Sequence, residues 1–350
     1  MRKIVFTLLA ATMLVACNQP AQTGKDMTQL SFTTEQAAAM TAIACNEAKG
    51  NLVALEPAIQ SGLDAGLTVN QIKEALSQLY AYTGFPRSLN ALGVLKKVTD
   101  AGNYELGEDS SLLPADYDAL REGTRVQTML VGKAFNYDFA PATDSYLKAH
   151  LFGDIFARDN LTYADRELVT VSALSGLEGV EPQLKAHIAG ARNMGVTEEQ
   201  LQGIVVALAA NGLFAEAGRV AALLQTEWPQ GQPNTAYAQY FTGNSYLQPY
   251  YGGVADVTFE PRCRNNWHVH HGAVQVLLCL SGRGWYQEWG KPAVPLTPGT
   301  VIAIPEGVKH WHGAAAESGM QHLAVHTQEQ PVSSNEWLEP VSDEQYGKLR

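Results

Sequence analysis

A pattern of two amphipathic segments joined by a glycine and a threonine occurs twice in this chain, 129 residues apart. Gly66 and Thr68 join the first pair, and Gly195 and Thr197 join the second. Glycine favours the positive φ that ends helices, and threonine caps free N–H groups where helices begin. The duplication therefore predicts an all-α domain with pseudo-twofold symmetry over residues 31–226.

The first 17 residues have the pattern of an export signal. Arg2 and Lys3 precede an apolar stretch that is too short to span a membrane as a mature helix. The stretch ends Leu-Val-Ala-Cys, which resembles the bacterial lipobox and implies cleavage before Cys17 and a lipid on that residue. We expect a polar tether over 18–30, a location in the bacterial cell envelope facing the periplasm or the outside, and membrane contact through this lipid only.

Composition excludes several classes of protein. Hydrophobic residues make up 46% of the chain and charged residues 17%, which is typical of a globular protein. The net charge of −11 argues against nucleic acid as a partner, because phosphate binding needs a basic patch. Four cysteines are too few for a disulfide scaffold. Pairing of Cys263 with Cys279 in an oxidising compartment stays open.

Both helical copies resemble the carboxymuconolactone decarboxylase family, which includes alkylhydroperoxidase-D-like proteins. The resemblance lies in 66–86, 159–177 and 182–200, and it implies a polar pair at Glu167 and His187. The Cys-x-x-Cys of the peroxidase members is absent, which excludes a thiol relay in this copy. The equivalent positions in the first copy fall near Ala38 and Ala58.

Two interpretations of Glu167 and His187 remain open. The pair is either a structural hydrogen bond within a domain that serves oligomerisation, which we favour, or a catalytic acid–base pair. A decarboxylase or peroxidase activity of the helical domain is the weaker alternative.

The sequence pattern changes from helical to β-rich in the last third of the chain. Residues 227–245 are rich in Pro, Gly and Asn and predict a linker. From 246 to 350, short β-rich runs alternate with turn signals such as 281–284 and 298–299, which predicts an all-β sandwich or small barrel. The fold class is therefore multidomain α + β, with an all-α duplicated domain followed by an all-β domain.

Seven of the nine histidines lie in residues 268–326. Side chains alternate along a strand, so His268 and His270 project to one side and form a natural chelate for a divalent metal. His310, after the turn at 305–307, is the candidate third ligand. The carboxamide of Gln275 is the candidate fourth, and it would leave the site more positive than a glutamate would.

The segments 261–285 and 298–313 resemble the two motifs of the cupin superfamily, which implies a double-stranded β-helix, or jelly-roll, barrel. Further similarity over 241–251 and 337–346 narrows the resemblance to small bacterial cupins with R-selective hydroxynitrile lyase activity. That subgroup implies three histidines and a glutamine on a manganese-type ion, matching His268, His270, Gln275 and His310. It also implies a general base at His322, and His312 is expected to line the pocket.

Several functional alternatives follow from this resemblance. It implies a lyase acting on a small hydroxy or carbonyl compound, such as a mandelonitrile-type cyanohydrin. The cofactor is expected to be Mn²⁺, with Fe²⁺, Zn²⁺, Co²⁺ and Ni²⁺ as alternatives. A cupin oxygenase and a non-catalytic ligand-binding scaffold remain open. We expect a homo-oligomer, because the helical family and the cupins usually assemble.

Other residues carry weaker predictions. Four aromatic side chains are candidates for an apolar pocket wall, although core filling is the simpler role for each: Trp267, Trp285, Tyr286 and Trp311. His150 and His271 are expected to lie outside the pocket. His326 shares strand parity with His322, but we expect it to face away from the cavity.

Overall fold

The computed structural model describes residues 26–328 and 333–349. The predicted signal peptide, including Cys17, and the first part of the predicted tether lie outside the described residues. Within the described part of the chain, no helix is both long enough and apolar enough to span a bilayer.

The helical domain contains the two predicted copies and an insertion between them. In chain order its helices are α1 (Thr34–Lys49), α2 (Leu52–Asp64), α3 (Val69–Thr83), α4 (Phe85–Asp100), α5 (Ala119–Val131), α6 (Pro141–Ser145), a π-helix (Tyr146–Ile155), α7 (Tyr163–Ser175), α8 (Glu181–Asn193), α9 (Glu198–Ala210) and α10 (Phe214–Leu224). The first residues of α1 to α4 precede those of α7 to α10 by 129 positions in every case, which matches the spacing in the sequence.

The helix boundaries within each copy follow the predicted capping chemistry. The hydroxyls of Thr68 and Thr197 each accept the backbone N–H three residues on, and each forms a capping box with a glutamine. Gly66 and Gly195 have φ values of 87° and 93°, a conformation that costs little only for glycine. These local signals therefore confirm the predicted duplication.

The C-terminal domain consists of antiparallel sheets that curl into a barrel. Its strands are β1 (Gln232–Pro233), β2 (Phe241–Thr242), β3 (Ser245–Pro249), β4 (Val254–Phe259), β5 (Arg264–Asn265), β6 (His268–His271), β7 (Ala273–Gly282), β8 (Gly284–Glu288), β9 (Val294–Leu296), β10 (Val301–Ile304), β11 (His310–Ala314), β12 (Met320–Gln328) and β13 (Ser334–Trp337). A short helix, α11 (Asp343–Tyr346), follows. One sheet has the order β1-β3-β4-β12-β7-β10, and the other has the path β13-β6-β11-β5-β2, with β8 and β9 beside β11.

The two domains share one hydrophobic core. Along β12, Leu323 and Val325 face outward and join the apolar cluster of the helical domain, whereas Ala324 belongs to a separate cluster inside the barrel. This division follows the period-two alternation of a strand. The six-stranded sheet thus rests on the helices through its outer face, and Gln275 and His322 belong to this sheet.

The predicted tether and linker are more ordered than expected. Met27 and Leu30 pack against the helical core, and Ser31 hydrogen-bonds to Asp165, so residues 26–30 are not part of a free tether. Within the linker, Trp228 is buried in the shared core, and β1 pairs with β3. Apolar side chains in these polar segments account for both differences.

Cys45, Cys263 and Cys279 are buried and free. The disulfide left open between Cys263 and Cys279 is therefore not formed. Both thiols pack in the apolar cluster inside the barrel.

Candidate metal centre and active site

Strand alternation brings the candidate ligands together inside the barrel. His268 and His270 of β6 are buried. His271, the last residue of β6, is exposed and pairs with Glu336. His310 of β11 lies opposite His268 in register, and their ring centroids are 4.1 Å apart. The His270 ring lies 5.0 Å from that of His268 and 5.4 Å from that of His310.

Hydrogen bonds to oxygen atoms fix the same tautomer in the rings of His268, His270 and His310. Nδ1 of His268 lies 3.0 Å from the backbone oxygen of Asn266, and Nδ1 of His310 lies 2.9 Å from that of Val308. Nδ1 of His270 lies 2.7 Å from Oδ1 of Asn335. Because an oxygen of this kind only accepts, each Nδ1 carries the proton and each Nε2 keeps its lone pair.

Gln275 completes this cluster from β7. Its amide nitrogen lies 3.4 Å from Nε2 of His326, and its Oε1 lies 3.1 Å from Nε2 of His310. His326 therefore faces the cluster, contrary to the expectation, and its ring is 4.8 Å from that of His270. The barrel thus brings imidazole nitrogen and amide oxygen acceptors to one place, a donor set that suits a divalent cation.

His312 lies beside this group on the same face of β11. One ring nitrogen from each of His268, His310 and His312 lies within 4.8 Å of the other two, so His312 is also a geometric candidate for a ligand. The predicted ligand His270 is not in that triad. Its Nε2 is nevertheless buried and has no hydrogen-bond partner among the described residues.

His322 lies next to His312, on the side away from the candidate ligands His268 and His310. The His312 and His322 rings are 4.9 Å apart and perpendicular, and Phe259 packs against both. His322 is fully buried, and neither ring nitrogen has a partner within the described chain. A neutral imidazole in any tautomer therefore offers one acceptor and one donor here.

Burial keeps these imidazoles neutral. Burial lowers the pKa of His310, His322 and His326 to about 4 in each case. The pKa values of His268 and His312 fall well below the usual value for the same reason. Neutral imidazole is the form that binds a metal or accepts a proton.

The aromatic wall differs from the prediction. Trp267, Trp285 and Trp311 point outward and form a separate cluster with Val341 and Tyr346, because they alternate with the inward-facing residues of their strands. Tyr286 alone of the four candidates lies inside the barrel, 5.9 Å from His310 between ring centroids.

Trp337, which was not among the predicted pocket residues, contacts the candidate ligand His268. Its ring lies 4.7 Å from that of His268 and stacks on Tyr240. An open cavity of about 1040 Å³ borders the cluster through His326, Asn335 and Trp337. The position of Trp337, in the segment already compared with other cupins, was the only sequence signal for it.

The polar pair of the helical domain also forms as predicted. Nδ1 of His187 lies 2.8 Å from Oε2 of Glu167, which is fully buried. Tyr82, from the first copy, packs edge-on against the His187 ring at 5.5 Å. Burial, aided by the Glu167 charge, raises the pKa of Tyr82 above its usual value. His150 is half exposed and lies outside this group.

Family models match part of the helical domain and most of the barrel domain. Residues 255–326 match the cupin domain, and residues 141–226 match the carboxymuconolactone decarboxylase family. The chain belongs to the cupin family. A carboxymuconolactone decarboxylase family domain at residues 141–226 precedes the cupin domain.

Two named relatives and one solved structure are similar to parts of this chain. The chain is 38% identical over 116 residues to an (R)-mandelonitrile lyase from Granulicella tundricola, covering 31% of this chain and 87% of the relative. It is 26% identical over 102 residues to a 4-carboxymuconolactone decarboxylase from Acinetobacter baylyi, covering 26% and 72%. A cupin-like protein from Thermotoga maritima of known structure is 36% identical, with a TM-score of 0.32, and the match covers 35% of this chain and 96% of that one.

Proposed function

We propose that this protein is a metal-dependent cupin lyase that cleaves small cyanohydrins of the mandelonitrile type into an aldehyde and hydrogen cyanide. The relative named (R)-mandelonitrile lyase supports the substrate class. The observation that carries the proposal is the clustering of three buried imidazole rings with the amide of Gln275. The ring centroids of His268, His270 and His310 lie 4.1 to 5.4 Å apart, and Oε1 of Gln275 lies 3.1 Å from Nε2 of His310. Buried acceptors without donors are costly unless a cation satisfies them.

These four residues would hold the divalent ion, with Mn²⁺ favoured by the family resemblance. A divalent ion bound there supplies Lewis acidity toward a hydroxyl or carbonyl oxygen. Gln275 adds no negative charge, so the positive charge of the site is preserved for an oxygen ligand or for cyanide.

His322 is the proposed proton acceptor. It takes the proton from the substrate hydroxyl, the carbon–oxygen bond becomes a carbonyl, and the bond to the nitrile carbon breaks. The electron pair of that bond leaves with cyanide, which then receives the proton from the His322 imidazolium. The neutral state of His322 and its two unpartnered nitrogens support this role.

Aldehyde release from racemic mandelonitrile by the purified full chain tests the proposal. The wild type should release benzaldehyde, and His322→Gln should reduce kcat by a factor of about 10² or more, the usual contribution of a general base. His271→Gln, the matched exposed control, should leave kcat unchanged. Oxygen consumption without aldehyde formation would favour an oxygenase and contradict the proposal.

We propose that the helical domain supports the barrel and assembles copies of the chain. Its core is continuous with the outer face of the six-stranded sheet, so the barrel sheet that carries Gln275 and His322 rests on it. Size-exclusion chromatography with light scattering should give a homo-oligomer, and a monomer at working concentrations would contradict the assembly role.

A further inference from the structure

His312 has two different geometric roles open to it. It belongs to a triad of imidazoles close enough to share a cation, and it also faces His322, the proposed proton acceptor. The tautomer of its ring decides between these roles, because a nitrogen that carries a proton cannot bind a metal.

Asn265 fixes that tautomer. Its Oδ1 accepts the backbone N–H of His312 at 2.9 Å, and its Nδ2 lies 3.0 Å from Nε2 of the same residue. Turning the amide over would place its NH₂ group against a backbone N–H, donor against donor. Asn265 is buried in strand β5 next to β11, so exposure to solvent would not relieve the clash between these two donors.

The consequence for His312 follows directly. The amide Nδ2–H donates to Nε2, so Nε2 has no proton, and the neutral ring carries its proton on Nδ1. No described residue accepts a hydrogen bond from that Nδ1, and it is buried. His268, His270 and His310 have the opposite arrangement, with Nδ1 donating to oxygen and Nε2 left as an acceptor.

We infer that Asn265 is a positioning residue that makes His312 a hydrogen-bond donor through Nδ1–H, and that His312 is not a metal ligand. The group that this donor fits is a small anion or a developing negative charge, such as the departing cyanide or the substrate oxygen. The catalytic part of this inference rests on the proposed lyase function. The tautomer of His312 does not depend on the lyase function.

Nuclear magnetic resonance of the ¹⁵N-histidine-labelled full chain without metal tests the tautomer. The long-range ¹H–¹⁵N pattern of His312, assigned by its loss in His312→Gln, should show Nδ1–H. The rings of His268, His270 and His310 should also carry their protons on Nδ1, but adding Zn²⁺ should shift their Nε2 signals strongly while His312 keeps its Nδ1 proton. An Nε2–H tautomer of His312, or loss of its Nδ1 proton on Zn²⁺ addition, would overturn the inference.

Variants at Asn265 extend the test to catalysis. In Asn265→Asp, a carboxylate can accept both the backbone N–H and Nε2–H, so the tautomer should invert. Inversion of the tautomer removes the Nδ1–H donor of His312. Loss of a positioned donor typically lowers kcat about 10²-fold, and we expect a loss of this size in Asn265→Asp, with a small change in KM. In Asn265→Ala, nothing fixes the ring, and both tautomers should be seen. An unchanged tautomer in folded Asn265→Asp would overturn the positioning role.

Aldehyde release and the His312 tautomer test the lyase function and the positioning role of Asn265 independently. If the wild type releases no aldehyde but His312 shows Nδ1–H, the lyase function is wrong and the positioning role stands. If aldehyde is released and His312 shows Nε2–H, the positioning role alone is wrong.

Discussion

Oε1 of Gln275 lies 3.1 Å from Nε2 of His310, and both atoms are acceptors because Nδ1 of His310 already donates to the Val308 oxygen. Burial lowers the pKa of His310 to about 4, so Nε2 of His310 carries no proton that it could donate to Gln275 at neutral pH. In this orientation of the Gln275 amide, Oε1 and Nε2 of His310 face the same space, and one cation there would satisfy both atoms. This relationship connects the barrel to metal chemistry more directly than any single residue does.

Asn335 should matter for metal affinity although it is not a ligand. Its Oδ1 accepts Nδ1–H of His270 at 2.7 Å and orients that ring. Asn335→Ala should weaken metal binding about 10- to 100-fold, as loss of such supporting hydrogen bonds commonly does. Competition with a chromogenic chelator measures the affinity. Glu336→Ala, which alters the exposed partner of His271, is the control, and equal affinities in the two variants would contradict the role.

Asp256 should make stability depend on pH. Its carboxylate is buried, has no hydrogen-bond partner among the described residues, and has a pKa raised by burial from 3.8 to about 8. The folded chain therefore keeps the proton where the unfolded chain has lost it. The free energy of unfolding then falls as pH rises from about 4 to about 8, by about 1.4 kcal/mol for each pKa unit.

Asp256→Asn removes this dependence. Its thermal midpoint should exceed that of the wild type clearly at pH 8 and little at pH 4, as measured by differential scanning calorimetry. Asp138→Asn, at an exposed position, should behave as the wild type at both pH values. An equal difference between Asp256→Asn and the wild type at both pH values would show that ionisation is not the cause.

The shared core should make the domains unfold together. All six tryptophans lie at or after position 228, so fluorescence reports mainly on the barrel, whereas ellipticity at about 222 nm reports on the helices. The two signals should change at one denaturant concentration. Leu323→Ala should lower that concentration in both signals, since burial losses of this kind cost about 2–5 kcal/mol. Two separate transitions would contradict the shared core.

Glu167 should be dispensable for chemistry in the barrel. Glu167→Ala leaves Nδ1 of His187 without its partner and should lower stability by about 1–3 kcal/mol, whereas Glu167→Gln retains an acceptor and should lower it less. Both variants should keep the metal content and aldehyde release of the wild type. Loss of aldehyde release from a folded Glu167→Ala protein would show that the helical pair takes part in the reaction.

Local sequence patterns predicted much of the fold and the site. The capping residues Thr68 and Thr197 are short-range signals, so the repeat and its helix boundaries could be read from the chain. Strand parity likewise predicted that His268 and His270 share a face, and that His271 does not.

Long-range contacts were harder to predict. Asn335 lies 65 residues from His270, and Asn265 lies 47 residues from His312, so no local pattern joins either pair. The outward orientation of Trp311 follows from the inward orientation of its neighbours, but it could be assigned only once the strand boundaries were known. His326 shares a strand face with His322 as predicted, but its position beside Gln275 and His270 depends on the register of β12 against β7, which the sequence does not show.

The metal content of the purified full chain tests the central claim most directly. Mass spectrometry of the protein prepared without chelator should find about one divalent ion per chain, held by the folded site. His268→Ala and His310→Ala should lose that ion, and His271→Ala should keep it. A wild-type protein that binds no divalent ion, or His268→Ala and His310→Ala proteins that retain as much metal as the wild type, would contradict the account.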